Sequence, residues 1–277
     1  MKVRIANHLV ALVAFATLLG GVAHAGMLDD IKKAGVLQVG VSLSVKPYNY
    51  AGDQMQPAGS DVDAAQLLAN DLGVKLEIVQ ATIPARIPSL LSKKVDIVMS
   101  GLAVTEEREK VIDFSLPYSA DLIVLVGPKT MEIKGYADLK GKVVGTTRGT
   151  ASDRILTDLN TGATIRRYDD MPTTSTALTT GQVPLEAGSV TILQDINAAT
   201  NDRFEVKFNM QSSLLAIGLR KDNPDMKAFL DDWVRKNHAM ASSTTSTRSM
   251  SASICPTKSG SRSKDNSFGQ VSLPASL

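Results

Sequence analysis

An α/β fold with mostly parallel sheets is what this sequence predicts, on three observations. Between residues 36 and 99, apolar runs short enough for strands alternate with helical apolar spacing, in the order β-α-β-α-β. That alternation implies parallel strands joined by crossover helices. From residue 142 the chain repeats the scheme: strand, small polar loop, helix start. Aromatic residues make up only 4% of the chain, so its cores must be built from Val, Ile, Leu and Ala.

Residues 1–25 read as a secretory leader. Lys2 and Arg4 precede an apolar run from Leu9 to Leu19, and Ala23-His24-Ala25 forms a small-x-small cleavage site. The run is short for a membrane span, so the mature protein is expected to be exported. Residues 27–34 form an amphipathic helix ending near Gly35. Val36 to Val41 is a strand, and Ser42 to Tyr50 is the loop beyond its carboxyl end. In that loop Tyr48 either walls a pocket or packs the loop. Ala64 to Leu72 is helical and stops at Gly73. Val74 to Val79 is the second strand, and Ile87 to Leu91 belongs to the next helix.

The central stretch is VDIVMSGLAVTEEREKVIDFSLPY, Val95 to Tyr118. A buried strand, Val95 to Met99, ends in Ser100-Gly101. Thr105 is a helix N-cap, with Glu106 and Glu107 in the first turn and Arg108 just inside it. In open α/β sheets ligands sit beyond the carboxyl ends of strands, so hydroxyl, amide and guanidinium donors meet at one such edge. Arg108 could equally pair with Glu106 or Asp113 on a solvated face.

Further along, Leu122 to Val126 is a strand ending at Gly127-Pro128. A short helix, 134–139, precedes a strand at 142–145, and the polar loop Thr146 to Ser152 opens a helix running to Leu159. Helix N-termini of this kind attract anions through their free N–H groups. Strand 164–168, helix 173–180, strand then helix over 189–197, strands 204–208 and 214–219, and helix 225–237 complete the reading. Trp233 falls on the apolar face of that last helix.

Composition excludes several classes. Setting aside the leader and the residues after 239 leaves 24 basic and 27 acidic residues, a net charge of −3, with no basic stripe for nucleic acid. Cys255 is the only cysteine, and the three histidines are scattered, so neither residue type builds a metal or catalytic cluster. No cofactor is implied.

The motif VMSGLAVTEEREKVIDFSLPY, together with GSDVDAAQLLANDLGVKLEIV, RIPSLLSKKVD and VVGTTRGTASD, resembles the bacterial extracellular solute-binding proteins of polar amino-acid ABC importers, family 3, over roughly residues 28–238. The resemblance implies a two-lobed periplasmic-binding-protein type II fold, each lobe a mixed, mostly parallel sheet flanked by helices, with the ligand cleft between lobes. Lobe 1 is expected at 26–127 and 213–239, lobe 2 at 128–212, and hinge crossings near 127–129 and 207–212. It further implies a monomer in the periplasm that binds an amino acid or similar carboxylate and delivers it to a membrane permease, without chemistry.

The same resemblance assigns Arg108 to the ligand's carboxylate, with donors at Ser100, Gly101 and Ala103. From the second lobe, Thr150 and the amide of Ala151 would cap that carboxylate. Ile83 and Tyr48 would be wall residues, and Arg148 a polar reader or a solvated loop cation. The amine end departs from the pattern. Acids expected near Ser42 to Ser44 and at Ser189 are serines, in the run Gly181-Gln182-Val183-Pro184-Leu185-Glu186-Ala187-Gly188-Ser189. Either Glu186 or a nearby acid substitutes, or the ligand is not an ordinary α-amino acid, or the run is locally corrupted.

Residues 240–277 hold 12 Ser and 4 Thr and no apolar periodicity, which reads as a disordered tail. A synonymous back-translation of Met240 to Lys258, read one frame over, yields GKLNDIYKKYVGVDLPDE, resembling the helix that ends family members. This points to a frameshift near Ala239 or Met240; a genuine low-complexity tail is the other reading. Loss of that helix would lower stability. The competing functional classes are an enzyme on the same fold, dehydratase-like, a sensor module, and a poorly functional product of a damaged gene.

Overall fold

The computed structural model describes residues 26–243. The expected leader and the tail from 244 onward lie outside the described residues. Chain order is α1 (Met27–Ala34), β1 (Val36–Val41), β2 (Ser44–Val45), β3 (Asn49–Ala51), β4 (Pro57–Ala58), α2 (Ser60–Leu72), β5 (Lys75–Gln80), α3 (Arg86–Leu91), β6 (Ile97–Val98), α4 (Glu106–Glu109), β7 (Asp113–Phe114) and β8 (Ser119–Pro128). It continues through β9 (Val143–Thr147), α5 (Ala151–Leu159), β10 (Thr164–Tyr168), α6 (Met171–Thr179), β11 (Leu185–Ser189), α7 (Ile192–Thr200), β12 (Phe204–Leu215), β13 (Gly218–Leu219) and α8 (Pro224–Ser243).

Two five-stranded sheets divide these elements. The first has the order β5-β1-β6-β13-β7 and the second β10-β9-β11-β8-β12. In each, a parallel core is extended on one side by antiparallel pairing: β1 pairs in parallel with β5 and β6, and β9 with β10 and β11, whereas β13 pairs antiparallel with β6 and β7, and β8 antiparallel with β11 and β12. A small sheet, β2-β3-β4, folds the first loop back on itself. This is the mixed, two-lobed α/β architecture expected.

Strand β8 corrects the expected lobe boundary. It begins at Ser119 and pairs with β12 from Ser119 to Pro128 and with β11 over Ile123 to Val126, so 119–127 belong to the second sheet. Strand β12 likewise pairs with β8 from Phe204 to Leu215, with register shifts at Val206/Phe208 and Asn209/Gln211, across the stretch expected to be a crossing and into the start of the expected strand 214–219. The main chain therefore passes between sheets at two other points, between β7 and β8 and between β12 and β13. The two passages lie side by side: Ser115 N–H donates to Ile217 O (2.9 Å) and Tyr118 N–H to Leu215 O (2.9 Å). Gly127-Pro128 therefore ends β8 rather than the lobe.

Helix α8 closes the first sheet. Met226, Leu230, Trp233 and Val234 join Leu37, Val39, Leu68 and Ile97 in one core cluster. The Trp233 indole N–H donates to Asp71 Oδ2 (2.8 Å), and Leu116 N–H donates to Asp231 Oδ1 (2.7 Å). The helix continues to Ser243, so residues 240–243, expected in a disordered tail, are helical. The predicted helix 134–139 is a single 3₁₀ turn, Tyr136–Leu139.

Two features make the fold sensitive to single changes. Gly59 leads into α2 with φ +112°, and a Cβ there would lie 2.4 Å from the carbonyl oxygen of Tyr48 and 2.7 Å from that of Pro47. Only glycine fits such a backbone and such an approach. In the second lobe, Glu186 sits on the fully buried strand β11. Ser175 Oγ donates to its Oε1 (3.1 Å), while Oε2 has no partner among the described residues. Burial pushes this carboxyl up to about 8.

Gly59→Ala is expected to lower stability by about 1–3 kcal/mol, read as a fall in melting temperature. For Glu186 the folded value lies above the unfolded one, 4.5. Unfolding therefore releases a proton between these values, and this group costs stability increasingly as pH rises through that window. Glu186→Gln should accordingly gain melting temperature over wild type progressively from about pH 4.5 to about pH 8 and level off above it. A pH-independent difference would contradict the assignment.

Candidate functional site

The carboxyl ends of β1 and β6 and the loops after them face the loop between β9 and α5 across a cleft. Arg108 spans it. Thr105 caps α4, its Oγ1 accepting from Arg108 N–H (3.3 Å), which fixes where the side chain departs. The guanidinium then donates from Nη1 to Ala103 O (2.6 Å) and from Nη2 to Gly149 O (3.0 Å) in the opposite lobe. Burial draws Arg108 down to about 10, so it stays charged at neutral pH. Glu106 and Asp113 do not pair with it, and the solvated-face alternative is not what forms.

The facing wall is the start of α5. Thr150 is its N-cap: Oγ1 accepts from Asp153 N–H (3.2 Å) and donates to Thr147 O (2.6 Å). Ala151 is the first helical residue, and N–H groups of a first turn have no intrahelical acceptor. Arg108 and this helix start therefore converge on one point with a guanidinium, free amides and a positive dipole end, a combination suited to a carboxylate. Other contacts bridge the lobes around them. Arg154 pairs with Glu107, and Thr191 Oγ1 donates to Lys46 O (2.9 Å).

Between the lobes lies a cavity of about 40 Å³, lined by Val45, Tyr48, Ile83, Arg86, Gly101, Ala103, Arg108, Asp121, Ile123, Thr150, Ala151, Ser152, Met171, Ser189 and Leu215. A crevice of about 460 Å³ adjoins it and shares Ile83, Arg86, Arg108, Thr150 and Ala151. Tyr48, Ile83, Ala103, Ile123, Ala151 and Leu215 form one apolar cluster drawn from both lobes. Of the residues singled out in sequence, Tyr48, Ile83, Gly101, Ala103, Arg108, Thr150, Ala151 and Ser189 line this cavity.

Ser100 and Arg148 do not. Ser100 is fully buried behind the wall. Its Oγ accepts from Ser42 N–H (3.0 Å), and its carbonyl accepts from Arg86 Nη1 (2.5 Å). Arg148 lies half exposed, 3.6 Å from Asp169, and the αL residue Gly149 separates it from the N-cap Thr150. Gly101 faces the cavity, but its amide is already donated to Asp61 Oδ2 (2.7 Å). Asp61 also accepts from Asn49 Nδ2 (2.9 Å) and from the Tyr118 hydroxyl (2.9 Å), knitting three segments of the wall together. Glu186, weighed as a substitute acid, does not line the cavity.

Three polar residues escaped the sequence reading. Arg86 is buried under the cavity floor, bonded to Ile83 O (3.0 Å) and Ser100 O, and burial lowers it to about 9. Asp61 is the structural acid just described. Asp121, on β8, is the one acid lining the cavity. Its Oδ1 accepts from Ser189 Oγ (2.8 Å) and Leu122 N–H (2.9 Å). Burial raises it to about 6. A charged residue at the head of an otherwise apolar strand was the available signal.

Comparison with known proteins bears on the family and the fold. The L-cystine-binding protein TcyJ of Escherichia coli K12 is 34% identical over 228 residues, covering 80% of this chain and 85% of that protein. The holo structure of ArgBP from T. maritima superposes with a TM-score of 0.71 at 32% identity, over 76% of this chain and 93% of that one. Cyclohexadienyl dehydratase of Pseudomonas aeruginosa is 38% identical, but over 118 residues only, 42% of this chain and 44% of that enzyme. The family profile described as bacterial extracellular solute-binding proteins, family 3, matches residues 37–245. The chain belongs to the family 3 bacterial extracellular solute-binding proteins.

Proposed function

We propose that this protein captures the α-carboxylate of an amino acid between Arg108 and the N-terminus of α5, and presents the closed complex to the membrane permease of an ABC importer. One observation carries this reading: the Arg108 guanidinium reaches across the cleft to Gly149 O, beside the free first-turn amides of α5. A carboxylate seated there would bond to both lobes at once. Only contacts made by both lobes favour closure thermodynamically, so the same group would be recognised and would drive the conformational change.

The two neighbouring passages at 115–118 and 215–217 act as the hinge in this reading. The chain is exported by cleavage of the leader at Ala25 and works as a periplasmic monomer. It binds without turning its ligand over. The cystine- and arginine-binding relatives support an amino acid as ligand, and the wall of Tyr48, Ile83 and Ile123 favours a ligand with apolar stem atoms. The partial match to a dehydratase makes the absence of turnover a matter for direct assay.

Calorimetric titration of the standard L-amino acids and L-cystine into the wild type should identify a ligand. Arg108→Ala should weaken it about 100-fold or more, as expected for removing one member of a buried charged pair. Failure of every compound to bind wild type, or undiminished binding by Arg108→Ala, would defeat the carboxylate clasp. Chromatography of the best ligand after prolonged incubation with the protein should recover it unchanged.

A further inference from the structure

The cavity is lined by charges of both signs. Two arginines, Arg86 and Arg108, border it, and so does a single acid, Asp121, from β8. Arg86 is satisfied by two main-chain carbonyls. Asp121 has no such balance: among the described residues no lysine or arginine pairs with it, and the described hydrogen bonds engage only its Oδ1. An isolated carboxylate withdrawn from water is expensive unless a cation meets it.

We propose that Asp121 is the counter-charge for the ligand's α-ammonium group, held in position by the Ser189 hydroxyl. This rests on the carboxylate clasp described above. Two elements carry the argument. First, Arg108 and Asp121 border the same small cavity, so their opposite charges face one compact solute, and the α-carboxylate and α-ammonium of an amino acid are themselves close neighbours. Second, the hydrogen bonds around Asp121 favour its anionic form. Ser189 Oγ donates to Oδ1, and it is free to do so because it in turn accepts from Thr191 N–H (3.2 Å). Leu122 N–H donates to the same oxygen, leaving Oδ2 for a ligand cation.

The placement also resolves the missing acid. Strands β8 and β11 are antiparallel neighbours, with Ser189 opposite Ile123. Asp121 projects two residues further along β8, close enough for Ser189 to touch its carboxylate. An acid carried on β8 thus serves the space beside Ser189, where the amine-binding acid was sought and a serine was found. Glu186, three residues upstream of Ser189, points into the interior of the second lobe instead.

The experiment uses the full-length mature protein and the tightest binder from the amino-acid and L-cystine panel, compared with its des-amino carboxylic acid. Wild type should bind the amino acid about 100-fold or more tightly than the des-amino analogue. Asp121→Asn, checked for folding by circular dichroism, should lose most of that preference while keeping its weak affinity for the analogue. Arg108→Ala should weaken both compounds. If Asp121→Asn binds the amino acid within about threefold of wild type, or if wild type does not distinguish the two compounds, the Asp121 assignment is overturned while the clasp at Arg108 stands. If Arg108→Ala binds normally and Asp121→Asn does not, the clasp fails and Asp121 stands. If a basic amino acid alone discriminates, with its side-chain cation rather than its α-amine required, the α-ammonium assignment is overturned. Should Asp121→Asn not fold, Asp121→Ser takes its place and is judged by the same criteria.

Discussion

A guanidinium held between two lobes by carbonyl oxygens, rather than by a carboxylate, is the constraint on which the site depends. Arg108 remains charged, yet its bonds to Ala103 O and Gly149 O are to neutral acceptors. Charge-assisted hydrogen bonds to carboxylates are stronger than those to neutral groups. An anion entering the cleft therefore offers Arg108 a better partner than the protein does, and the local fold keeps that preference intact. Asp61, the buried acid of the first lobe, is directed instead to Asn49, Gly101 and Tyr118. Glu107 is occupied by Arg154. Neither of these acids forms an ion pair with Arg108 among the described residues.

The paired strands β8 and β12 carry the second lobe and lead back to the first. Their side-by-side exits at Ser115–Tyr118 and Leu215–Ile217 are hydrogen-bonded to each other. In the proposed closure these passages serve as the hinge, a place where few dihedral changes rotate one sheet relative to the other. The apolar seam of Tyr48, Ile83, Ala103, Ile123, Ala151 and Leu215 then sets how closely the lobes meet.

A fold shared by binding proteins and a dehydratase separates scaffold from chemistry. What distinguishes the two is whether a proton donor stands where a bond must break. In this chain the cavity acid, Asp121, is hydrogen-bonded in the manner that favours its ionised form, which suits recognition of a cation. The more strongly perturbed carboxyl, Glu186, is enclosed by the second lobe's own core, where its cost falls on stability.

Local sequence determined most elements and half of the site. The αL stop at Gly35, the N-caps at Thr105 and Thr150 and the strand-helix alternation are short-range effects, encoded within a few residues and unaltered by packing. The motif around Arg108 was legible for the same reason. Tertiary structure decided what depends on partners distant in the chain. Strand β8 belongs to the second sheet because β11 and β12 offer it ladders, a fact no local pattern carries. Ser100 and Gly101 lie at the expected edge, but the Ser100 hydroxyl donates to Ser42 Oγ and Asn49 Oδ1 and the Gly101 amide to Asp61, 40 residues away. Asp121 reads in sequence as a charge at a strand's edge. It becomes a site residue only because antiparallel pairing sets it beside Ser189, 68 positions later, within reach of the cavity that Arg108 borders.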